Sequence, residues 1–292
     1  MSTDSETLVY TERDRDDPFL TDRGALREIR LQLRDEIRVR VANAGVEGVV
    51  VPMSGGIDST VTAFLAVEAL GSDRVLGLGL PCHKSEQAGV SDAQTIADGL
   101  GIEFEERQLR PLLEAFENTV GDGLDPARAA ADRPHERNQA IGNVLARLRM
   151  CCAYYAANRQ SRLVLGTANR SELLLGYFTK YGDGAADTFP IGDLYKTEVR
   201  ALAKRLGVPR RIVSKEPTAG FWADQTDADD LGASYSVIDP LLRRLVDEDE
   251  PIDEVATAVD VDRAVVCNIA ALYTATEHKR QRPPTPGIGD RQ

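Results

Sequence analysis

The densest phosphate-binding chemistry in the chain lies in one run, Ser54-Gly55-Gly56-Ile57-Asp58-Ser59-Thr60. Two glycines let the backbone approach a ligand closely, and hydroxyls flank them. The run follows an apolar stretch, Gly48 to Met53 (GVVVPM), and precedes a helical pattern from Thr60 to Leu70. Its N–H groups therefore fall at a helix start, where unpaired donors and the helix dipole favour an anion. No GK[ST] sequence follows, so the phosphate geometry differs from that of kinases and GTPases. A glycine turn capped by Ser54 or Ser59 would need no ligand. The complete pattern, in the order strand, loop, helix, favours the phosphate cradle.

A loop of this kind needs a rigid frame, and the flanking sequence reads as one. Ala25 to Ala42 places Leu26, Ile29, Leu33, Ile37 and Val41 on one helical face, with Gly45 as a stop. GVVVPM, Arg74 to Leu80, Glu103 to Leu109 and Arg162 to Ala168 read as strands, and the lack of polar alternation in the first marks burial on both faces. Helical patterns cover Glu86 to Leu100, Leu112 to Thr119 and Asn138 to Ala157, and Gly121 to Pro134 reads as a loop. From Tyr195 onward the pattern is mainly helical: Lys196 to Leu206, Pro240 to Val246, and Val255 to His278 with a break near Asp260. The expected fold is α/β, a doubly wound parallel sheet flanked by helices, with a helical C-terminal part. Its ligand site belongs at the carboxyl ends of the strands, after Met53 and Ala168. One domain over 1–292 is expected, with a polar extension at 1–24 and a Pro/Gly-rich tail at 280–292.

Composition narrows the function. With 42% hydrophobic residues the chain can build a core, and no run reaches the roughly 20 apolar residues of a membrane span. The acidic start lacks a basic region followed by an apolar one, so a soluble, cytoplasmic protein is expected. A formal net charge of −12 argues against a nucleic-acid partner, which needs a basic face. Of the 35 basic residues 29 are arginine and six lysine; an acidic, lysine-poor chain fits a salt-rich cytoplasm. Cys82, Cys151, Cys152 and Cys267 have no CxxC spacing and read as reduced packing residues; Cys82 beside His83 lacks a second pair at metal-ligand spacing.

SGGxDS resembles the PP-loop of the ATP pyrophosphatases, which cleave ATP between its α and β phosphates. A second dense segment runs from Gly166 to Pro209 (GTANRSELLLGYFTKYGDGAADTFPIGDLYKTEVRALAKRLGVP), and Glu277-His278-Lys279-Arg280 stands late in the chain. Together these segments resemble NAD synthetase, in the right order from about residue 25 to 287. The resemblance implies an adenine nucleotide alpha hydrolase-like fold. It implies an ATP site at Pro52, Met53, Ser54, Gly55, Gly56, Ile57, Asp58 and Ser59, with Thr167, Lys196 and Thr218. Asp58 and Glu172 would hold magnesium, and Lys196 would meet the phosphates. Arg147, Lys180, Asp187, His278 and Lys279 would hold the deamido-dinucleotide, and Asp183 would bind ammonium and remove its proton. Three of the six lysines fall on these positions.

The implied reaction is an AMP-forming amidation: MgATP adenylates the carboxylate of nicotinic acid adenine dinucleotide, pyrophosphate leaves, and ammonia displaces AMP. About 45 residues precede the first strand and no cysteine stands in a nucleophile context, so free ammonia is the expected donor, with a separate glutaminase as the alternative supply. The resemblance also implies a homodimer with the dinucleotide at the subunit interface, where Arg147 would act. Rival readings are another PP-loop enzyme, GMP synthetase-like or tRNA-modifying, and an ATP-sensing regulatory protein without turnover. The Gly166 to Lys196 segment and the acidic charge count against the first; Asp58, Glu172 and Lys196 together count against the second. Gly121 to Pro134 and Gly220 to Ala233 carry no matched catalytic residue, and the second is read as a cover over ATP.

Overall fold

The computed structural model describes residues 19–124, 134–218 and 226–285. The expected extension at 1–24, the 121–134 loop, the 220–233 cover and the 280–292 tail each lie partly outside the described residues.

Four parallel strands, β1 (Gly48–Pro52), β2 (Val75–Gly79), β3 (Glu103–Glu106) and β4 (Arg162–Val164), form one sheet ordered β3-β2-β1-β4. Val50 sits opposite Leu76 on one side and Val164 on the other. The chain moves outward from β1 to β3 and then returns to the far side of β1. Strand order thus reverses between β1 and β4, and a crevice at their carboxyl ends is where such a sheet takes its ligand. The apolar strands β1 and β2 are buried nearly throughout, whereas β3 (EFEE) is a charged edge of the kind that blunts unwanted pairing.

α1 (Arg23–Ala44) begins at Asp22, whose carboxylate accepts the N–H groups of Gly24 and Ala25, and stops at Gly45 with φ 65°. Its expected apolar face is the one that packs: Leu26, Ile37 and Val41 are buried and Ile29 and Leu33 lie against the same core. α2 (Ile57–Leu70) and α3 (Gln87–Leu100) join that core. α4 (Arg110–Phe116), α5 (Asp122–Leu124) and α6 (Pro134–Arg159) follow, and Leu113, Leu145 and Ala153 form a second core with Val50, Leu76 and Val164. α7 (Arg170–Leu175) then leads to α8 (Lys196–Leu206), whose Val199 and Leu202 return to the first core. α9 (Arg210–Val213), α10 (Asp227–Leu231), α11 (Tyr235–Leu242), α12 (Ile252–Val259), α13 (Arg263–Ala275) and α14 (Glu277–Arg280) complete the chain. A third core, with Leu175, Ile238, Leu242, Val255 and Ile269, ties α7 to α11–α13.

Several boundaries differ from those expected. β4 ends at Val164 rather than Ala168, because Leu165 pairs with Thr188 and the Gly166 N–H donates to the Thr188 carbonyl at 2.8 Å. β3 ends at Glu106 rather than Leu109, although the N–H groups of Arg107 and Leu109 still reach the carbonyls of Gly79 and Pro81. Helical structure continues past Thr119 through a π turn, Glu117–Gly121, into α5, where a loop was expected. α11 starts at Tyr235, not at Pro240: proline suits a first helical turn, yet here it sits inside the helix, and complete burial of Ile238, Leu241 and Leu242 offsets the lost backbone bond. The expected break falls at Asp260, φ 55°, between α12 and α13.

Candidate active site

Residues 53–56 turn from β1 into α2. Gly55 has φ 76°, and a Cβ there would collide with the Gly89 carbonyl of α3; a Cβ on Gly89 would lie 2.6 Å from the Ser54 carbonyl. The loop is thus pressed backbone to backbone against α3, a packing only glycine allows. Within it the Gly56 N–H donates to Ser54 Oγ at 3.2 Å, and the hydroxyls of Ser59 and Thr60 donate to the Gly56 carbonyl at 3.1 and 2.8 Å. The N-cap of α2 is Gly56 itself, with no side-chain cap, so no capping side chain takes up the first N–H groups of the helix, which is what an anion site requires.

Asn169 caps α7 beyond β4. Its Oδ1 accepts the Glu172 N–H at 3.1 Å while Glu172 Oε2 accepts the Asn169 N–H at 3.2 Å, a reciprocal box that fixes the glutamate. Asn169 Nδ2 also donates to Asp58 Oδ1 at 3.0 Å. Lys196, the first residue of α8, is buried to 2% exposure, and its Nζ donates to Asp58 Oδ2 at 2.6 Å and to Glu172 Oε1 at 3.1 Å. Side chains from three helices therefore meet at the carboxyl ends of β1 and β4, as the sheet topology demands.

The cluster is electrostatically unbalanced. Burial, reinforced by the charge of Asp58 and opposed by Lys196, pushes the Glu172 carboxyl up to about 7. Burial alone would lower Lys196, but Asp58 and Glu172 beside it hold its pKa above the usual lysine range. A third carboxylate, Asp227 of α10, is 4% exposed. Its Oδ2 accepts the Tyr235 hydroxyl at 2.9 Å, and the Tyr235 ring lies 5.1 Å from Lys196 Nζ. Asp227 Oδ1 is buried with no hydrogen-bond partner among the described residues. Burial raises its pKa against the pull of Lys196. A cavity of about 460 Å³ lined by Arg200, Lys215, Pro217, Asp227 and Tyr235 opens here, and Lys215 reaches toward Gly89 and so toward the phosphate-type loop.

A second group gathers around residues 176–184. Arg147 donates to the Lys180 carbonyl at 3.2 and 3.3 Å, and Lys180 Nζ donates to the His278 carbonyl. Lys279 Nζ donates to the carbonyls of Gly176 and Phe178 at 2.7 and 2.9 Å, and burial lowers its pKa. Asp183 retains solvent contact but accepts the Thr179 N–H at 2.8 Å, and protein crowding its carboxylate raises its pKa. Asp187 is engaged elsewhere: its Oδ2 accepts the Val164 N–H at 2.7 Å and its Oδ1 the Tyr154 hydroxyl at 3.3 Å, closing the end of β4. Thr167 is half-buried between β4 and Asn169, and exposed Thr218 ends the described run before 219–225.

The structure thus joins Asp58, Glu172 and Lys196, and it joins Arg147, Lys180, His278 and Lys279 around the loop that carries Asp183. Reading of the sequence missed Asn169, Asp227 and Tyr235. Asn169 stands three residues before Glu172, and Thr226 stands three before Asp229, whose N–H its side chain accepts; both spacings announce helix starts.

A family model described as NAD synthase matches residues 29–283. Over 265 residues the chain is 44% identical to the NH(3)-dependent NAD(+) synthetase of Halobacterium salinarum, covering 89% of this chain and 93% of that one. Among solved structures it resembles NMN synthetase from Francisella tularensis (TM-score 0.77, 33% identity, 90% of this chain and 99% of that one). It also resembles NH3-dependent NAD synthetase from Campylobacter jejuni in complex with the nitrate ion (TM-score 0.71, 30% identity, 89% and 98%). The parallel sheet, the glycine loop at its switch point and these matches agree, and the chain belongs to the NAD synthase family.

Proposed function

We propose that this chain makes NAD from nicotinic acid adenine dinucleotide, ATP and ammonia, releasing AMP and pyrophosphate. The observation that carries the reading is the contact of Lys196 with both Glu172 and Asp58, the carboxylate of the Ser54–Ser59 run. The loop and the start of α2 take the phosphates of ATP, and Thr167 and Thr218, from distant segments of the chain, contact ATP on the family pattern. Asp58 and Glu172 bring two carboxylates together at Lys196, and no group of three metal-ligating side chains gathers among the described residues. A divalent cation here would therefore take two protein carboxylates and complete its shell with phosphate oxygens and water. Asp58 and Glu172 would hold magnesium, which supplies charge neutralisation on the phosphates when bound.

Arg147, Lys180, His278 and Lys279 orient the dinucleotide so that a nicotinate carboxylate oxygen meets the α phosphorus. Asp187, whose two oxygens already accept the Val164 N–H and the Tyr154 hydroxyl, contributes by holding the end of β4. The bond to the β-phosphate oxygen breaks as the new P–O bond forms, and Lys196 neutralises charge on the departing pyrophosphate. Asp183 takes a proton from ammonium, and the nitrogen then attacks the acyl carbon and expels AMP. No described helix is long and apolar enough to cross a membrane. The acidic, arginine-rich composition supports work in a salt-rich cytoplasm, and we assign a homodimer on the family pattern.

The test is NAD formation by purified protein in high potassium chloride with ATP and magnesium, comparing ammonium with glutamine, and the dinucleotide with nicotinic acid mononucleotide. NAD from ammonium, with one AMP per NAD, is the expected result. A faster rate with the mononucleotide would move the substrate assignment, and no amide product from folded protein with either substrate would overturn the reading.

A further inference from the structure

Lys196 and Glu172 lie on different helices, and one fully buried carboxylate reaches the neighbour of each. Asp239, in the middle of α11, has 0% exposure. Its Oδ1 accepts the hydroxyl of Ser171, the residue before Glu172, at 2.6 Å. Its Oδ2 accepts both the N–H and the hydroxyl of Thr197, the residue after Lys196, at 2.8 and 2.7 Å. Ser171 Oγ in turn accepts the Lys196 N–H at 3.0 Å. The chain separations, 68 residues to Ser171 and 42 to Thr197, show that tertiary packing rather than local sequence builds this contact.

A carboxylate buried among neutral donors is costly unless its lone pairs are filled, and here they are filled at the N-terminal end of α8, where the helix dipole favours a negative charge. The arrangement is more than α11 needs to pack, because Ile238, Leu241 and Leu242 already anchor that helix in the C-terminal core. What the carboxylate adds is register: it holds the first turns of α7 and α8 at one distance, and so sets the reach of Glu172 and Lys196 toward each other and toward Asp58.

We infer that Asp239 is a positioning residue for the reaction, a clamp that holds Ser171 and Thr197 so that Glu172 and Lys196 converge. The inference rests on the reading proposed above. An Asn at this position keeps the shape but removes the charge and presents an amide N–H₂ to Ser171. The Ser171 Oγ must then accept from it as well as from the Lys196 N–H and turn its own proton away, which weakens the clamp on the α7 side.

The experiment compares Asp239→Asn, Ser171→Ala, the double variant and a packing control, Leu241→Ala, in the full chain. Asp239→Asn should lower kcat by about 10²-fold, the scale of a misplacement near 1 Å, with KM for ATP changed less than about threefold. Ser171→Ala should fall in the same direction, and the double variant should fall no further than Asp239→Asn alone, as members of one network do. Leu241→Ala should lose thermal stability while retaining kcat. A crystal structure of Asp239→Asn should show Lys196 Nζ beyond about 4 Å, ion-pair range, from Asp58 or Glu172. That structure reads the clamp even if the wild-type chain forms no NAD, so the two failures remain distinguishable. Wild-type kcat in folded Asp239→Asn, additive losses in the double variant, or a kcat loss in Leu241→Ala equal to that of Asp239→Asn would each overturn the inference.

Discussion

The two charged groups near the crevice are built in opposite ways. Lys196, almost fully enclosed, touches both Asp58 and Glu172 directly. Arg147, Lys180 and Lys279 instead donate to backbone carbonyls of the 176–180 turn and of His278. The first group has its charges fixed by one another and by Asn169; the second uses its cations to shape a loop, and each cation retains donors for a ligand. A centre that must stabilise charge during bond breaking gains from being preorganised, whereas a binding surface gains from adaptable donors.

The contrast is sharpest at Lys196. Lys196→Ala leaves two carboxylates facing each other in a buried site, and removing one partner of a buried pair costs about 3–5 kcal/mol. NAD formation should fall by about 10³-fold, the upper range for loss of one charge-stabilising group, with a lowered unfolding midpoint in denaturant. Activity within tenfold of wild type would mean that the contact is structural only.

Next in size is a change that leaves every charge in place. Gly89→Ala adds a methyl group 2.6 Å from the Ser54 carbonyl and forces the loop off α3. The overlap is with backbone and outweighs the roughly 1 kcal/mol that Ala gains over Gly within a helix, so stability should fall modestly while kcat/KM for ATP falls about 10²-fold. A folded, destabilised variant with wild-type kcat/KM for ATP would instead indicate that the loop's seat on α3 does not position the nucleotide.

A smaller effect concerns protons. Between its ordinary value near 4.5 and about 7, Glu172 is protonated in the folded chain and ionised in the unfolded one. The folded state therefore binds more protons there, and the stabilisation from Glu172 is complete below pH 4.5 and lost as pH rises through about 7. In the absence of nucleotide and metal, unfolding free energy should decline across this window relative to Glu172→Gln. A difference between the two proteins that stays constant with pH would contradict the buried, crowded environment described for Glu172.

Much of this was legible in the chain. GVVVPM followed by SGGIDS announced a buried strand and a phosphate-type loop because the glycines and the apolar run are local features. The convergence of Asp58 and Glu172 followed only from the family resemblance, since nothing local joins residues 111 positions apart such as Asn169 and Asp58. Asp227 was hidden for a related reason: its segment has turn-like composition, and its importance comes from tertiary proximity to Tyr235 and Lys196. α11 was misplaced because Pro240 looks like a helix start, and only the depth at which Ile238 and Leu241 are buried shows why the helix runs through it. β4 was drawn too long because Leu165 and Gly166 are as apolar as the strand itself, while their partner at Thr188 is invisible to local pattern.

The smallest effect belongs to the second group. Lys180 anchors the His278 carbonyl and lies 5.3 Å from the Tyr181 ring, a contact that leaves part of its side chain open to solvent. In that setting one cation contributes on the order of 1 kcal/mol to holding an anionic ligand, because water screens it and two other cations, Arg147 and Lys279, share the loop. Lys180→Met should therefore raise KM for the dinucleotide by roughly tenfold or less and leave kcat within about twofold. Mutation of a group that acted on the reacting atoms would instead lower kcat, as expected for Lys196. Measuring both constants for both variants under one set of conditions decides whether the division between a preorganised centre and an adaptable binding loop is real. A kcat loss at Lys180 matching that at Lys196 would merge the two regions into one catalytic surface.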